Sequence, residues 1–342
     1  MASPAKEGLA RLRGFAAQLP EQLRQGFRSG VDLEFPVPAR ALHWAAAGMG
    51  GSAIAADLLA GILARETERT LSIHRGPTLP GAVNDRWLIV LTSYSGNTWE
   101  TLAAYDQAGR RGASRIVVSS GGALTTRAAE DGVPCLVIPA GYPPRAAVGF
   151  LLGGLLGVFD ATFPESNEAR LTRQSEELER RIRGFERPTG GPARLAARLG
   201  PRIPYIYAEE EYVALARRWK TQVEENAKRL AHFDALPELL HNALVPWEAM
   251  KASEAARRAV VLLEPTGQDR RIALRFRYLE RILTERHVAI HRISFPGPDP
   301  LLALLTGVAW GDYLSLSIAE RGGIDPAEIR ALEALKAALD GR

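Results

Sequence analysis

Two short runs in the first half of the chain carry residue types that could hold an anion. Gly48-Met49-Gly50-Gly51-Ser52 combines flexible backbone, exposed amides and a hydroxyl at the start of an apolar helical stripe. Ser93-Tyr94-Ser95-Gly96-Asn97-Thr98 follows the apolar run Trp87–Thr92 and offers the hydroxyls of Ser93, Ser95 and Thr98 just before another helical stripe. Free helix N–H groups and the positive end of the helix dipole can bind a phosphate without any cationic side chain. Gly, Ser, Thr and Asn are also the usual residues of turns and caps, and the glycine run alone fits that reading equally well. Hydroxyls clustered directly behind a buried strand point more directly to a ligand. No Gly-Lys-Ser/Thr follows the glycines, and Ala53 stands where a dinucleotide fingerprint needs its third glycine, so neither nucleotide motif is present.

The elements that must position these runs alternate. Apolar strand patterns at Ala41–Ala47, Trp87–Thr92, Arg115–Ser119 and Pro134–Ile138 are separated by helical patterns at Ile54–Ala64, Glu100–Arg110 and Thr125–Glu130. Repeated βα units of this length predict a parallel sheet with helices on both faces. Glu165–Arg187 is charged with helical spacing and is broken by Arg187-Pro188-Thr189-Gly190-Gly191-Pro192. The alternation then restarts with strands Ile203–Tyr207, Arg258–Glu264 and His287–Ser294 and helices Glu210–Arg229 and Asp269–Glu285. Two further helices follow, Pro300–Glu320 and Pro326–Leu339. The expected fold class is α/β: two three-layer αβα domains with mainly parallel sheets, plus C-terminal helices. The expected boundaries are residues 1–164, a helical connector at 165–192, and residues 193–342.

Length and composition agree with that plan. At 342 residues, 46% hydrophobic and 24% charged, the chain can build two cores. Its net charge is +4, but the arginines are scattered over helices, which predicts a solvated surface and no nucleic-acid partner. The single cysteine, Cys135, cannot form an intrachain disulfide, and the first residues lack the apolar core of a signal peptide, so a reducing cytoplasm is expected. Ala146–Phe159 is too short to span a bilayer and Leu301–Ala319 carries Asp312 in its middle, so both are expected as buried helices with no membrane role. No His/Cys/Asp cluster has metal-ligand spacing, and no cofactor motif occurs.

The order glycine run, Ser-Tyr-Ser-Gly-Asn-Thr, then Ser120-Gly121-Gly122 resembles that of sugar-isomerase (SIS) domains. The helix Trp219-Lys220-Thr221-Gln222-Val223-Glu224-Glu225-Asn226-Ala227-Lys228, the run Leu236-Pro237-Glu238-Leu239-Leu240-His241-Asn242 and Pro144-Arg145-Ala146 are similar to the bifunctional phosphoglucose/phosphomannose isomerases in particular. The resemblance runs from about Gly48 to Leu339. It implies a sugar 6-phosphate substrate, with Gly50, Gly51, Ser52, Ser93, Ser95 and Thr98 at its phosphate. It also implies a homodimer whose partner supplies the histidine to a shared site.

Moving a carbonyl between C1 and C2 of a sugar needs a base, a ring-opening acid/base and a cation facing the enediolate, and no cofactor. The resemblance assigns these roles to Glu225, His241 and Arg145, and brings Lys336 of the last helix to the same site. Without it, Glu225 is one of many helix glutamates and Glu224 could be taken for it; His43, His74, His232, His287 and His291 are read as structural. Arg145 has support of its own, since a cation at a helix start opposes the dipole and needs an anionic partner when buried. The family pattern is broken at Ala243, where an acidic residue usually follows His-Asn, and at Ala327, where Thr commonly follows Asp-Pro. Two other functions fit the same domains: a non-catalytic phosphosugar sensor, and an amino-sugar phosphate isomerase or deaminase.

Overall fold

The computed structural model describes residues 3–35, 43–64, 66, 71–162 and 167–339. Contacts divide the chain into two units, Gln18–Glu179 and Met1–Ala17 with Arg180–Arg342. The helix that opens the chain, α1 (Pro4–Ala17), thus belongs with the second half, whereas the sequence reading placed residues 1–164 together. Packing explains the difference. Leu9 and Leu12 of α1 are buried, and Arg13 holds Glu320 at 2.7 Å.

The Gln18–Glu179 unit contains α2 (Leu19–Val31), β1 (His43–Gly48), α3 (Gly50–Leu63), β2 (Leu71–His74), β3 (Trp87–Ser93), α4 (Trp99–Arg110), β4 (Ser114–Ser119), α5 (Gly122–Glu130), β5 (Cys135–Val137), α6 (Val148–Thr162) and α7 (Glu168–Phe185), the last crossing its boundary. All five strands are parallel, in the order β2-β1-β3-β4-β5. The central strand, Trp-Leu-Ile-Val-Leu-Thr-Ser, is apolar on both faces because helices cover both. Tyr105 and Ala108 of α4 and Leu124 and Ala128 of α5 pack on Ala45, Ile89, Leu91 and Val117. On the other face α3 and α6 pack together, with Trp44 edge-on to Phe159 at 5.4 Å.

Helices α2 and α6 meet through glycine. A β-carbon on Gly26 would strike the carbonyl of Phe150, and one on Gly30 that of Gly154. From the other side, Gly153 and Gly157 lie against the carbonyls of Leu23 and Phe27. Backbone therefore packs on backbone along this seam.

The second unit adds α8 (Gly191–Leu199), β6 (Ile203–Glu209), α9 (Val213–Ala227), β7 (His232–Leu236), α10 (Leu244–Ala249), α11 (Ala252–Ala255), β8 (Arg258–Pro265), α12 (Arg270–Glu285), β9 (Ala289–Phe295), α13 (Pro300–Gly322) and α14 (Arg330–Leu339). Its four strands are parallel in the order β7-β6-β8-β9. Phe276, Leu279 and Leu283 of α12 cover one face with Trp247 of α10, while α8, α9 and α13 pack together away from it. Asp299 caps α13 by accepting from the Leu301 N–H at 2.9 Å, Pro300 opens it, and Gly323 at φ +64° ends it. This helix is long and apolar enough to cross a membrane, but 94% of its most apolar window is buried inside the protein.

Candidate active site

In the order β2-β1-β3-β4-β5 the chain leaves β1 toward one side and returns to the other, so the crevice for a ligand opens at the carboxyl ends of β1 and β3. Both hydroxyl-bearing runs lie there. Met49 is extended, Gly50 turns at φ +52°, and α3 begins. Only a residue without a side chain adopts that turn freely. Gly51 faces the neighbouring segment: a β-carbon there would stand 3.1 Å from the Pro144 carbonyl and 3.5 Å from the Arg145 Cα.

Side-chain oxygens tie the loops to one another. Ser52 is buried and its Oγ accepts from the Tyr94 N–H at 3.2 Å, joining the glycine run to the serine run. The Ser93 Oγ lies 3.0 Å from the Thr98 Oγ1 and accepts from the Gly96 N–H at 3.1 Å. The Asn97 Oδ1 accepts from the Ala123 N–H at 2.9 Å, so Asn97 caps the neighbouring helix α5. Ser120 donates its hydroxyl proton to the Tyr94 carbonyl at 2.6 Å, and Gly96 approaches Gly121 too closely for any β-carbon. Ser95 and Thr98 remain accessible, and Thr98 makes no side-chain capping bond to α4, whose first turn opens beside them.

The hub of the cradle is Tyr94, which the sequence reading passed over. Its hydroxyl donates to the Pro139 carbonyl at 3.0 Å and accepts from the Tyr142 N–H at 2.9 Å. Burial raises its pKa above the ordinary value, against the opposing pull of its hydrogen bonds. An aromatic flanked by two serines at the end of a buried strand was the available signal. Through it the serine run is pinned to the segment leading into Arg145. That arginine sits on a 3-10 turn, Pro144–Ala146, ahead of α6 rather than as its first residue, and is 5% exposed.

The remaining candidates belong to the second unit. Glu225 is half-buried on the last turn of α9, which ends at Lys228 in the left-handed conformation. The Lys228 ammonium donates to the Glu225 carbonyl at 2.7 Å. Glu224, the neighbour that could be mistaken for it, is paired with Lys220 at 2.6 Å. Beside Glu225 a buried polar stripe clamps α9 to α13. Arg218 and Gln222 donate to the Asp312 carboxylate at 2.8 and 2.6 Å, and the Asn226 amide donates to the Ser315 Oγ at 2.9 Å. The sequence reading noted Asp312 only as a charge within an apolar helix, and missed its partners on α9 because each resembles an ordinary polar helix residue.

His241 lies exposed on a 3-10 turn, Glu238–His241, which follows β7. Asn242 beside it donates to Glu238 at 3.4 Å. Lys336 falls on α14, and its side chain lies outside the described residues. The structure thus gathers Gly50, Gly51, Ser52, Ser93, Ser95, Thr98 and Arg145 in one unit and carries Glu225 and His241 on separate elements of the other.

Parallel sheets of this order, with hydroxyl-bearing loops at the switch point, define a doubly wound α/β fold of the class that binds ligands at the carboxyl ends of its strands. The model of the bacterial phospho-glucose isomerase C-terminal SIS domain matches residues 191–339. A solved structure of a hypothetical protein from Thermus thermophilus superposes with a TM-score of 0.75 at 15% identity, covering 99% of this chain and 94% of that one. A bifunctional phosphoglucose/phosphomannose isomerase of Caldicellulosiruptor bescii is 30% identical over 93% of this chain and 96% of its own length. One from Aquifex aeolicus is 31% identical over 85% and 88%. The chain belongs to the bifunctional phosphoglucose/phosphomannose isomerase family.

Proposed function

We propose that the chain interconverts glucose 6-phosphate and mannose 6-phosphate with fructose 6-phosphate. The observation that carries this reading is the interlocked cradle around Tyr94, which brings Ser93, Ser95, Thr98 and Gly51 to one crevice beside the turn of Arg145. The phosphate docks on the accessible hydroxyls of Ser95 and Thr98 and the open amides of α3 and α4, so binding energy remote from the reacting carbons holds them in place. His241 exchanges a proton with the ring oxygen to open the sugar. The Glu225 carboxylate takes the C2 proton of the open-chain aldose and the electron pair forms the C1–C2 double bond of a cis-enediolate with its charge on O1; a proton passes from the O2 hydroxyl to O1, and as the C2 carbonyl forms, the double bond takes the first proton back at C1. Arg145 faces the developing charge. Glucose and mannose 6-phosphates differ only at C2, so both lead to one enediol.

Within this reading Ser95 and Thr98 bind phosphate and Glu225 supplies the base. Two copies associate, and His241 reaches the site of the other copy. Its exposure, and that of Val245 at 65% and Leu230 at 69% on the adjoining segments, support such an interface. Lys336 joins the same site, and the enzyme works in a reducing cytoplasm.

The test is fructose 6-phosphate formation from each aldose in EDTA, for wild type and Glu225→Gln. Wild type turns over both sugars without added metal. The variant loses on the order of 10²–10⁴-fold in kcat, the usual contribution of a general base, and still binds the substrate. A folded wild type that binds sugar phosphates but isomerises neither would instead be a sensor. Release of ammonia from an amino-sugar phosphate would make it a deaminase.

A further inference from the structure

A second polar cavity lies wholly within the other unit, along the edge strand β9 and the start of α8. It is half open to solvent, with room of about 340 Å³ for a small phosphorylated molecule, and no Asp or Glu lines it. Its walls include Gly191, Arg194, Arg198, His291, Ser294 and Trp310. Arg292 also borders it, but its charge is held by Glu264 at 2.9 Å and Glu280.

Of the polar groups that remain, Arg194, Arg198 and the Trp310 indole are donors only. The His291 Nε2 is buried beneath this wall and has no hydrogen-bond partner. Burial, with the nearby charges of Arg198 and Arg202, holds the pKa of that imidazole below its ordinary value. Gly190 gives α8 no side-chain cap, and the position of a β-carbon on Gly191 is 3.2 Å from the Trp310 Nε1. The uncapped helix start and the indole N–H therefore come together at one wall. Arg194 is steadied by the Thr189 carbonyl.

We infer that this cavity is a second anion site, built for a small phosphate-bearing molecule and separate in its residues from the serine and glycine loops. The guanidiniums of Arg194 and Arg198, the open start of α8 and the Trp310 indole supply convergent donors around an acceptor-rich ligand. Occupancy bears on α9 as well. Trp310 stacks on Trp219, with ring centroids 4.9 Å apart and planes 4° from parallel, and Trp219 lies six residues before Glu225 on that helix.

Calorimetric titration with inorganic pyrophosphate tests the site on the whole chain. Wild type binds two equivalents per chain. Ser93→Ala/Thr98→Val removes the equivalent at the loops and leaves the other, whereas Arg198→Gln weakens the other by at least tenfold and spares the loops. Arg198→Lys restores much of the loss. Arg198, being exposed, is a position whose substitution keeps the fold. The inference is overturned if the loop variant abolishes all binding, or if Arg198→Gln leaves both equivalents unchanged. Failure of the loop variant to remove an equivalent would count against the proposed substrate site alone.

Discussion

Replacing Tyr94 with Phe removes one oxygen and nothing else, and that oxygen holds two bonds of the cradle, to the Pro139 carbonyl at 3.0 Å and from the Tyr142 N–H at 2.9 Å. Each is worth about 0.5–1.5 kcal/mol net, so the direct loss is about 1–3 kcal/mol. The Tyr142 N–H, left without its acceptor, pushes the value toward the upper end. For a unit of this size a loss of about 2 kcal/mol lowers the melting midpoint by roughly 4–8 °C. The kinetic effect follows from where the bonds lead. On the proposed phosphate role, loosening the serine run weakens binding, so KM for glucose 6-phosphate rises about 3–10-fold, tenfold being about 1.4 kcal/mol. Freeing residues 139–142 lets the Arg145 turn drift, so kcat falls too. The assay pairs a thermal melt with steady-state isomerase kinetics on the same preparation. A Tyr94→Phe enzyme that melts like wild type with unchanged KM and kcat would refute the hub; lost stability with intact kinetics would reduce it to a structural tie.

Glycine substitutions should split by packing: Gly153→Ala drives a methyl into the Leu23 carbonyl and costs about 1–3 kcal/mol, as overpacking does, while Gly14→Ala meets open space in α1 and stabilises by up to about 1 kcal/mol, both read by denaturant unfolding. Ser315→Ala removes the acceptor of one Asn226 amide bond, costing about 0.5–1.5 kcal/mol; if the stripe holds Glu225 in register, kcat falls while KM stays near wild type, and Ser315→Thr recovers part of the rate. The Tyr105 hydroxyl, buried and donating to Asp131 at 2.8 Å, has its pKa pushed up from 10.0 to about 12. Between those values the folded state binds more protons than the unfolded one, so this contribution is complete below pH 10 and is lost as pH rises through 12; Tyr105→Phe should flatten that part of a stability-versus-pH curve.

The strands buried on both faces were legible in the sequence because a two-sided interior demands an unbroken apolar run. The expected strands at 87–92, 115–119 and 258–264 lie within a residue or two of the observed ones. Residues 41 and 42, part of another expected strand, lie outside the described residues. Two strands were not legible. Leu71–His74 is four residues long and half-buried throughout, and His232–Leu236 reads as a polar approach to the histidine turn. Helix α1 could not be assigned to its unit, because its burial depends on a helix some 300 positions away, with the Arg13–Glu320 pair as marker. At the site, residue types marked the loops but not the division of labour. Asn97 serves as a cap and Ser52 as a tie, since a hydroxyl that could meet a phosphate can equally bind the backbone of the next loop.

The glycine seam between α2 and α6 acts as a keyway. Side chains on ordinary helices can change rotamer and let one helix slide past another, but a carbonyl seated against a bare Cα has no rotamer to change. Translation of α6 along α2 would ride backbone over backbone at Gly26, Gly30, Gly153 and Gly157. The turn bearing Arg145 ends one residue before α6 begins, and so inherits that fixed origin. When a ligand enters, the arginine is thus referenced to a joint that has no rotamer to yield.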